Sequence, residues 1–333
     1  MSSSSDSQCA NLDRINQLSS PIFQASCIFA AISCVFTFIV SFYAMKHIIH
    51  KSIFHSSTKI LLISNILYAL GHQFSWLQVS TSFIYRAIFK INKPCELMYS
   101  PSDCSPYSFI LMTSISGMVF VQTGLMIERA CATFLPNYSR IPKKLPGLII
   151  GLIVAALSLS SYSFVTWHET EDDVRFSCGY YPAKSRERAN LMLSIFGFLT
   201  LFNLITTLAI LRYNSAFEYQ NRFDLLCRFE VKETIDATRI ICVLTLSEFF
   251  AHFVYSFGIL LVRLNRNGFE KHNYTIVLSL FYTLPYGALL VPVLLIIRIT
   301  KLRKDRQSKI QKITRQTQTT EEHMRLIQKI WNL

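Results

Sequence analysis

Apolar, uncharged stretches recur along the chain. No Lys, Arg, Asp or Glu lies between Arg14 and Lys46, Lys59 and Arg86, Asp103 and Glu128, Lys144 and Glu169, Arg188 and Arg212, or Lys271 and Arg298. Each of these runs holds at least 23 residues, and one more, Arg239 to Arg263, is interrupted only by Glu248. A helix that crosses a hydrocarbon core of roughly 30 Å needs about 20 largely apolar residues. Within lipid each backbone amide must be satisfied by its own helix or by a closed barrel, and the runs show no two-residue alternation. The pattern therefore predicts an all-α membrane protein, a seven-transmembrane helix bundle. The spans fall at 22–45, 60–85, 104–127, 145–167, 189–211, 240–262 and 273–297. A polar segment, 1–20, precedes the membrane domain of 21–298, and a basic tail, 299–333, follows it.

Composition sharpens this. Hydrophobic residues make up 51% of the 333 positions and charged ones only 16%, against about 25% charged in soluble domains. The net charge of +13 is read from its distribution, not as a nucleic-acid signature. The opening "MSSSSDSQCANLDR" has no basic region ahead of an apolar core, so the first span is expected to insert the chain and to remain in it. With the N-terminus outside, the inner connections and tail carry 22 Lys and Arg and the outer ones 11. The tail contributes 10 of the 22, but Lys46 and Lys51 also follow the first span while Arg14 stands alone before it. The positive-inside rule then predicts an extracellular N-terminus and a cytoplasmic C-terminus.

This orientation places Cys9, Cys95, Cys104 and Cys178 outside, Cys27, Cys34 and Cys242 in spans, and Cys131 and Cys227 in the cytosol. Four cysteines in an oxidising compartment can form two bridges in three pairings. Cys104 opens the third span and Cys178 lies in the connection after the fourth. A bridge between them would pin that connection over the bundle mouth, with Cys9 and Cys95 as the second pair.

The third span ends in adjacent Glu128 and Arg129. Neighbours on a helix point about 100° apart, so each is expected to find its partner on another helix, Arg129 keeping its head at the interface. Such a pair suits a latch that breaks when the bundle opens inward. Glu248 lies near mid-membrane, where an acid costs roughly 2.5–3.5 kcal/mol. It is read as an intramembrane polar lock, with His252 and His72 as possible companions.

The segments "NKPCELMYSPSDC" (92–104), "SGMVFVQTGLMIERACATFLPNY" (116–138) and "RFEVKETIDATRIICVL" (228–244) resemble the nematode serpentine receptors of class alpha, the Sra chemoreceptors, which are G-protein-coupled receptors. "HSSTKILLISNILYA" (55–69) and "SFGILLVR" (256–263) extend the likeness to nearly the whole chain. The resemblance implies a sensory-neuron receptor of the plasma membrane that binds an environmental small molecule and activates a heterotrimeric G protein. Glu128 and Arg129 stand in the place of the acid–Arg–aromatic motif, with Ala130 where the aromatic would be. The seventh span has Pro285–Tyr286 in place of Asn-Pro-x-x-Tyr, and the sixth has no proline. His72, Trp76, Thr113, His252, Tyr255 and Tyr282 are expected to line the ligand pocket. No cofactor, metal, catalytic group or nucleic-acid partner is expected, and the seventh span lacks a lysine for a retinal Schiff base. A ligand-gated channel or transporter is the alternative, although no inverted repeat or charged ring marks a transport path. Of the glycosylation acceptor sequences, Asn137 would face the cytosol and Asn273 abuts a span, so neither is expected to carry a glycan.

Overall fold

A computed structural model of the chain describes residues 9–52, 54–135, 138, 141–167, 175–179, 185–220, 225–265 and 271–331. The helices in order are α1 (Leu12–Ser19), α2 (Pro21–Lys51), α3 (Ser56–Phe89), α4 (Pro101–Phe134), α5 (Leu145–Thr166), α6 (Arg186–Gln220), α7 (Leu225–Leu264), α8 (Lys271–Leu280) and α9 (Leu284–Trp331). Seven segments are long and apolar enough to cross a membrane, and the protein is a multi-pass membrane protein. Among the described residues the extended structure is a single antiparallel bridge, Tyr99 with Arg175.

Helix starts follow local chemistry. Proline stands in the first turn of α2, α4 and α5, where its missing N–H would have had no helical partner. The Asn11 side chain accepts from the Arg14 backbone N–H at 3.2 Å and caps α1, a helix not anticipated within the polar N-terminal segment. Leu18 of α1 is fully buried.

The seventh apolar run is one span but not one unbroken helix. α8 ends at Leu280 and α9 begins at Leu284. Pro285 cannot donate to the carbonyl four residues back, so the helix restarts with the proline in its first turn. The groups at the break find partners on neighbouring helices: Gln73 Nε2 donates to the Pro285 carbonyl at 2.6 Å, and Thr283 Oγ1 donates to the Ala251 carbonyl at 2.7 Å. Beyond the break α9 runs on for 48 residues, about 72 Å at 1.5 Å per residue, so it extends far past any bilayer. α7, 40 residues long, does the same at the same end. Arg306 of α9 reaches Asp236 of α7 at 3.4 Å.

Burial is inverted relative to a soluble protein. Phe29, Ile39, Leu152 and Phe198 are exposed, whereas Asn65, His72, Gln73, Glu248 and His252 are buried. Lipid tails are as apolar as leucine, so helix association rests on close packing and internal polar contacts. α4 is central: 72% of its most apolar stretch is buried, against 22–44% for the other six segments. It packs against α3, α5, α6 and α7, and α2 closes the bundle against α3 and α9. Gly147 lets α5 approach the start of α3, because a Cβ there would stand 2.7 Å from the Ser57 carbonyl oxygen and 2.8 Å from its Cα.

Asn137 lies outside the described residues, as does the side chain of Asn273.

Candidate functional site

Polar residues gather at three levels of the bundle. At the first, the last turns of α4 meet the start of α3. Glu128 and Arg129 are buried, at 0% and 3% exposure. They pair with each other, contrary to the expectation from their spacing. Arg129 Nε donates to Glu128 Oε2 and Nη2 to Oε1, both at 2.6 Å. Backbone directions 100° apart do not forbid this, because the long arginine stem folds back over the shorter glutamate and makes a bidentate pair. The head is inside the protein, not at the interface. Thr58 of α3 completes the knot: its hydroxyl accepts from Arg129 Nη2 at 2.7 Å and faces both Glu128 oxygens at 3.2 and 3.3 Å.

The fourth member comes from the α4–α5 connection. Tyr138 donates its hydroxyl to Glu128 Oε1 at 2.9 Å. Backbone bonds from Tyr138 to Leu135 and from Ile141 to Tyr138 turn the chain so that the ring points back into the bundle. His55 packs on that ring at 5.8 Å. Burial first, and then the Glu128 carboxylate, push the Tyr138 phenol up to about 12, so it is a neutral donor at every physiological pH. A buried ion pair is stable only when its remaining lone pairs and protons are satisfied. Thr58 and Tyr138 do this, and neither was singled out in the sequence.

At the second level, Glu248 Oε1 accepts from Asn65 Nδ2 at 2.8 Å, while Oε2 has no partner among the described residues. The expected histidine companions bond elsewhere. His252 Nδ1 meets the Glu248 backbone carbonyl at 3.0 Å, and His72 Nε2 lies 2.9 Å from the Tyr282 hydroxyl. Gln73 links three helices: besides the Pro285 carbonyl it bonds Thr37 at 3.3 Å and accepts from the Cys34 thiol at 2.7 Å.

One helical turn further on, four of the six expected pocket residues come together. Tyr282, at the break between α8 and α9, stacks on Trp76 at 3.9 Å and on His72 at 6.0 Å, and meets Tyr255 edge-on at 5.2 Å. The rings fill their own space, so a ligand between them would have to part Trp76 from Tyr282. The Thr113 hydroxyl is buried without a partner, and His252 sits below with Glu248.

The third level carries the disulfides. Cys104 is joined to Cys178, and Cys9 to Cys95. Ser108 Oγ bonds the Cys178 carbonyl at 2.9 Å, so the connection after α5 is fastened twice over the end of α4. Arg86, 5% exposed, donates to the carbonyls of Leu97 at 2.5 Å and Phe176 at 3.1 Å. Beside it, between α3 and α4, lies a cleft of about 440 Å³ lined in part by Val79, Ser82, Arg86, Tyr99, Asp103 and Tyr107. Among the described residues no group of His, Cys, Asp and Glu is arranged to hold a metal ion.

A seven-helix membrane bundle with a disulfide-tied mouth, and a buried acid–arginine pair at the far end of its third span, defines a serpentine receptor. Comparison with known proteins narrows the class. A family model described as the serpentine type 7TM GPCR chemoreceptor Sra matches residues 4–331. Serpentine receptor class alpha-7 of Caenorhabditis elegans is 38% identical over 97% of this chain and 98% of its own length. Class alpha-6 and class alpha-1 from the same organism are each 37% identical, over 98% and 97% of this chain and 99% and 98% of theirs. The chain belongs to the Sra family of serpentine chemoreceptors.

Proposed function

We propose that the protein binds an environmental small molecule from the disulfide-bearing side of the bundle and activates a heterotrimeric G protein at the opposite side. The N-terminus is extracellular, the C-terminus is cytoplasmic, and the receptor resides in the membrane of a sensory neuron. The observation that carries this reading is the buried Glu128–Arg129 pair with its Thr58 and Tyr138 partners. It ties α4 to α3 and to the α4–α5 connection at the end where α7 and α9 extend beyond the bilayer. In the resting receptor Arg129 is fully engaged. Separation of the cytoplasmic helix ends breaks the knot and frees the guanidinium to meet the G protein. Glu248, held by Asn65, is a mid-membrane lock between α7 and α3. His72, Trp76, Tyr255 and Tyr282 sit where a ligand entering from outside could alter the α8–α9 break, and with it the position of α9.

The test is nucleotide exchange. Membranes from cells expressing the chain, mixed with purified G-protein heterotrimers, should exchange guanine nucleotide when the activating chemical is added. Arg129→Gln at equal surface abundance should abolish that exchange. Agonist-driven current without any G protein would instead mark a channel and refute the proposal.

A further inference from the structure

We propose that the cleft between α3 and α4 at the disulfide-bearing end binds a small molecule carrying both a carboxylate and a protonated amine. Arg86 holds the carboxylate and Asp103 the amine. This deepens the receptor reading above by naming a ligand class and a site distinct from the Tyr282 ring cluster.

Arg86 is the centre of the case. Its Nε donates to the Ser82 carbonyl at 3.3 Å, its Nη1 serves the Leu97 and Phe176 carbonyls, and its guanidinium lies 3.9 Å above the Tyr99 ring. Every one of these partners is neutral. Among the described residues Nη2 bonds nothing and no acid pairs with the group, although it is almost wholly buried. Buried charges are normally paired, and a guanidinium N–H bonds an ionised carboxylate about twice as strongly as a neutral acceptor, so the remaining Nη2 favours an anion. Its stem is fixed by two segments of the mouth, so little rotamer freedom is lost when an anion arrives.

Asp103 supplies the second charge. It stands in the first turn of α4, lines the same cleft, and makes no ion pair among the described residues. Arg86 and Asp103 therefore face one space without neutralising each other. A simple anion would satisfy Arg86 and meet repulsion from Asp103, and a simple amine would do the reverse. A molecule with both groups satisfies both. Val79, Tyr99 and Tyr107 give the cleft an apolar wall for the carbon skeleton, and its volume of about 440 Å³ falls within the roughly 300–1,000 Å³ of small-molecule sites. Ser177 and Cys178 also border it, so an occupant touches the connection that is bonded to α4.

The experiment uses the full-length receptor in lipid nanodiscs with no G protein present. Thermal unfolding and equilibrium binding are measured with α- and ω-amino acids, the matching acids without the amine, and the matching amines without the acid. At least one amino acid should bind and raise the unfolding temperature, with its two half-molecules at least about tenfold weaker. Asp103→Asn, at an exposed position, should bring the amino acid and its des-amino analogue to within about threefold of each other. Ser82→Phe should fill the cleft and abolish binding. These two variants keep the proposal open to refutation even if Arg86→Gln, which also unties Leu97 and Phe176, does not fold. Binding that is the same in wild type, Asp103→Asn and Ser82→Phe overturns it, and so does a wild-type receptor that none of the amino acids stabilises. Nucleotide exchange separates this proposal from the one on which it rests. Amino acids that bind but never drive exchange sink the coupling and leave the cleft. A neutral odorant that drives exchange in a receptor to which no amino acid binds sinks the cleft and leaves the receptor.

Discussion

Replacing Tyr138 with phenylalanine isolates one bond of the Arg129 knot. The ring stays, with its packing on His55, and only the hydroxyl 2.9 Å from Glu128 Oε1 is lost. A buried hydrogen bond to a charged group contributes about 1.5–3 kcal/mol. If the knot exists only in the resting receptor, that loss falls on the resting state alone. Each 1.4 kcal/mol is about a factor of ten in the equilibrium. A receptor active about 1% of the time without ligand would then be active roughly 10% of the time or more. The assay is basal nucleotide exchange on a purified G protein, with receptor density matched by a surface tag. Tyr138→Phe should raise the basal rate about tenfold while leaving the maximal agonist-driven rate near wild type. Basal exchange equal to wild type, at equal density, would refute the idea that the bond restrains activation.

Four further outcomes follow from the structure. The unfolding-temperature difference between wild type and Tyr138→Phe should be constant through neutral pH. The Tyr138 phenol is raised from 10 to about 12 in the fold, so its contribution is complete below pH 10 and lost as pH rises through 12; a difference that vanishes near pH 7 would contradict the assignment. Cys104→Ser or Cys178→Ser should cost about 2–5 kcal/mol and deplete the surface receptor, read by tag labelling on intact cells. Gly147→Leu should destabilise by about 1–3 kcal/mol, because its side chain would meet the Ser57 backbone, and a lowered melting temperature of purified receptor checks this. Asn65→Leu should leave Glu248 without its bond and destabilise the receptor, and Glu248→Leu on top of it should recover part of the loss, as a double-mutant cycle on thermal unfolding would show.

Much of the architecture is legible in the sequence because a membrane makes a coarse demand, about 20 uncharged residues per crossing. That demand locates the spans but is silent about what lies between their ends. It treated Arg86 and Asp103 as punctuation, although the fold buries Arg86 and sets the exposed Asp103 on the same cleft. It read 273–297 as continuous, since apolarity does not register a break that Pro285 makes and Gln73 and Thr283 stabilise. The Glu128–Arg129 pairing was misjudged because an angular rule for backbones was applied to side chains of unequal length. Thr58 and Tyr138, 70 residues before and 10 after Glu128, carry no local mark of their role. Asn65 is a lone polar residue in an apolar run, and a search for mid-membrane amides opposite Glu248 would have found it. In α1, Asn11 followed by Asp13 and an apolar stripe was a readable cap signal.

The proposed coupling depends on seven crossings that put the buried Arg129 pair at the cytoplasmic end of the bundle and the Cys104–Cys178 connection at the extracellular end. An epitope tag at each end, probed on intact and then on permeabilised cells, tests this directly. The N-terminal tag should be stained in both conditions and the C-terminal tag only after permeabilisation. A C-terminal tag accessible on intact cells, or two tags that always behave alike, would contradict the account.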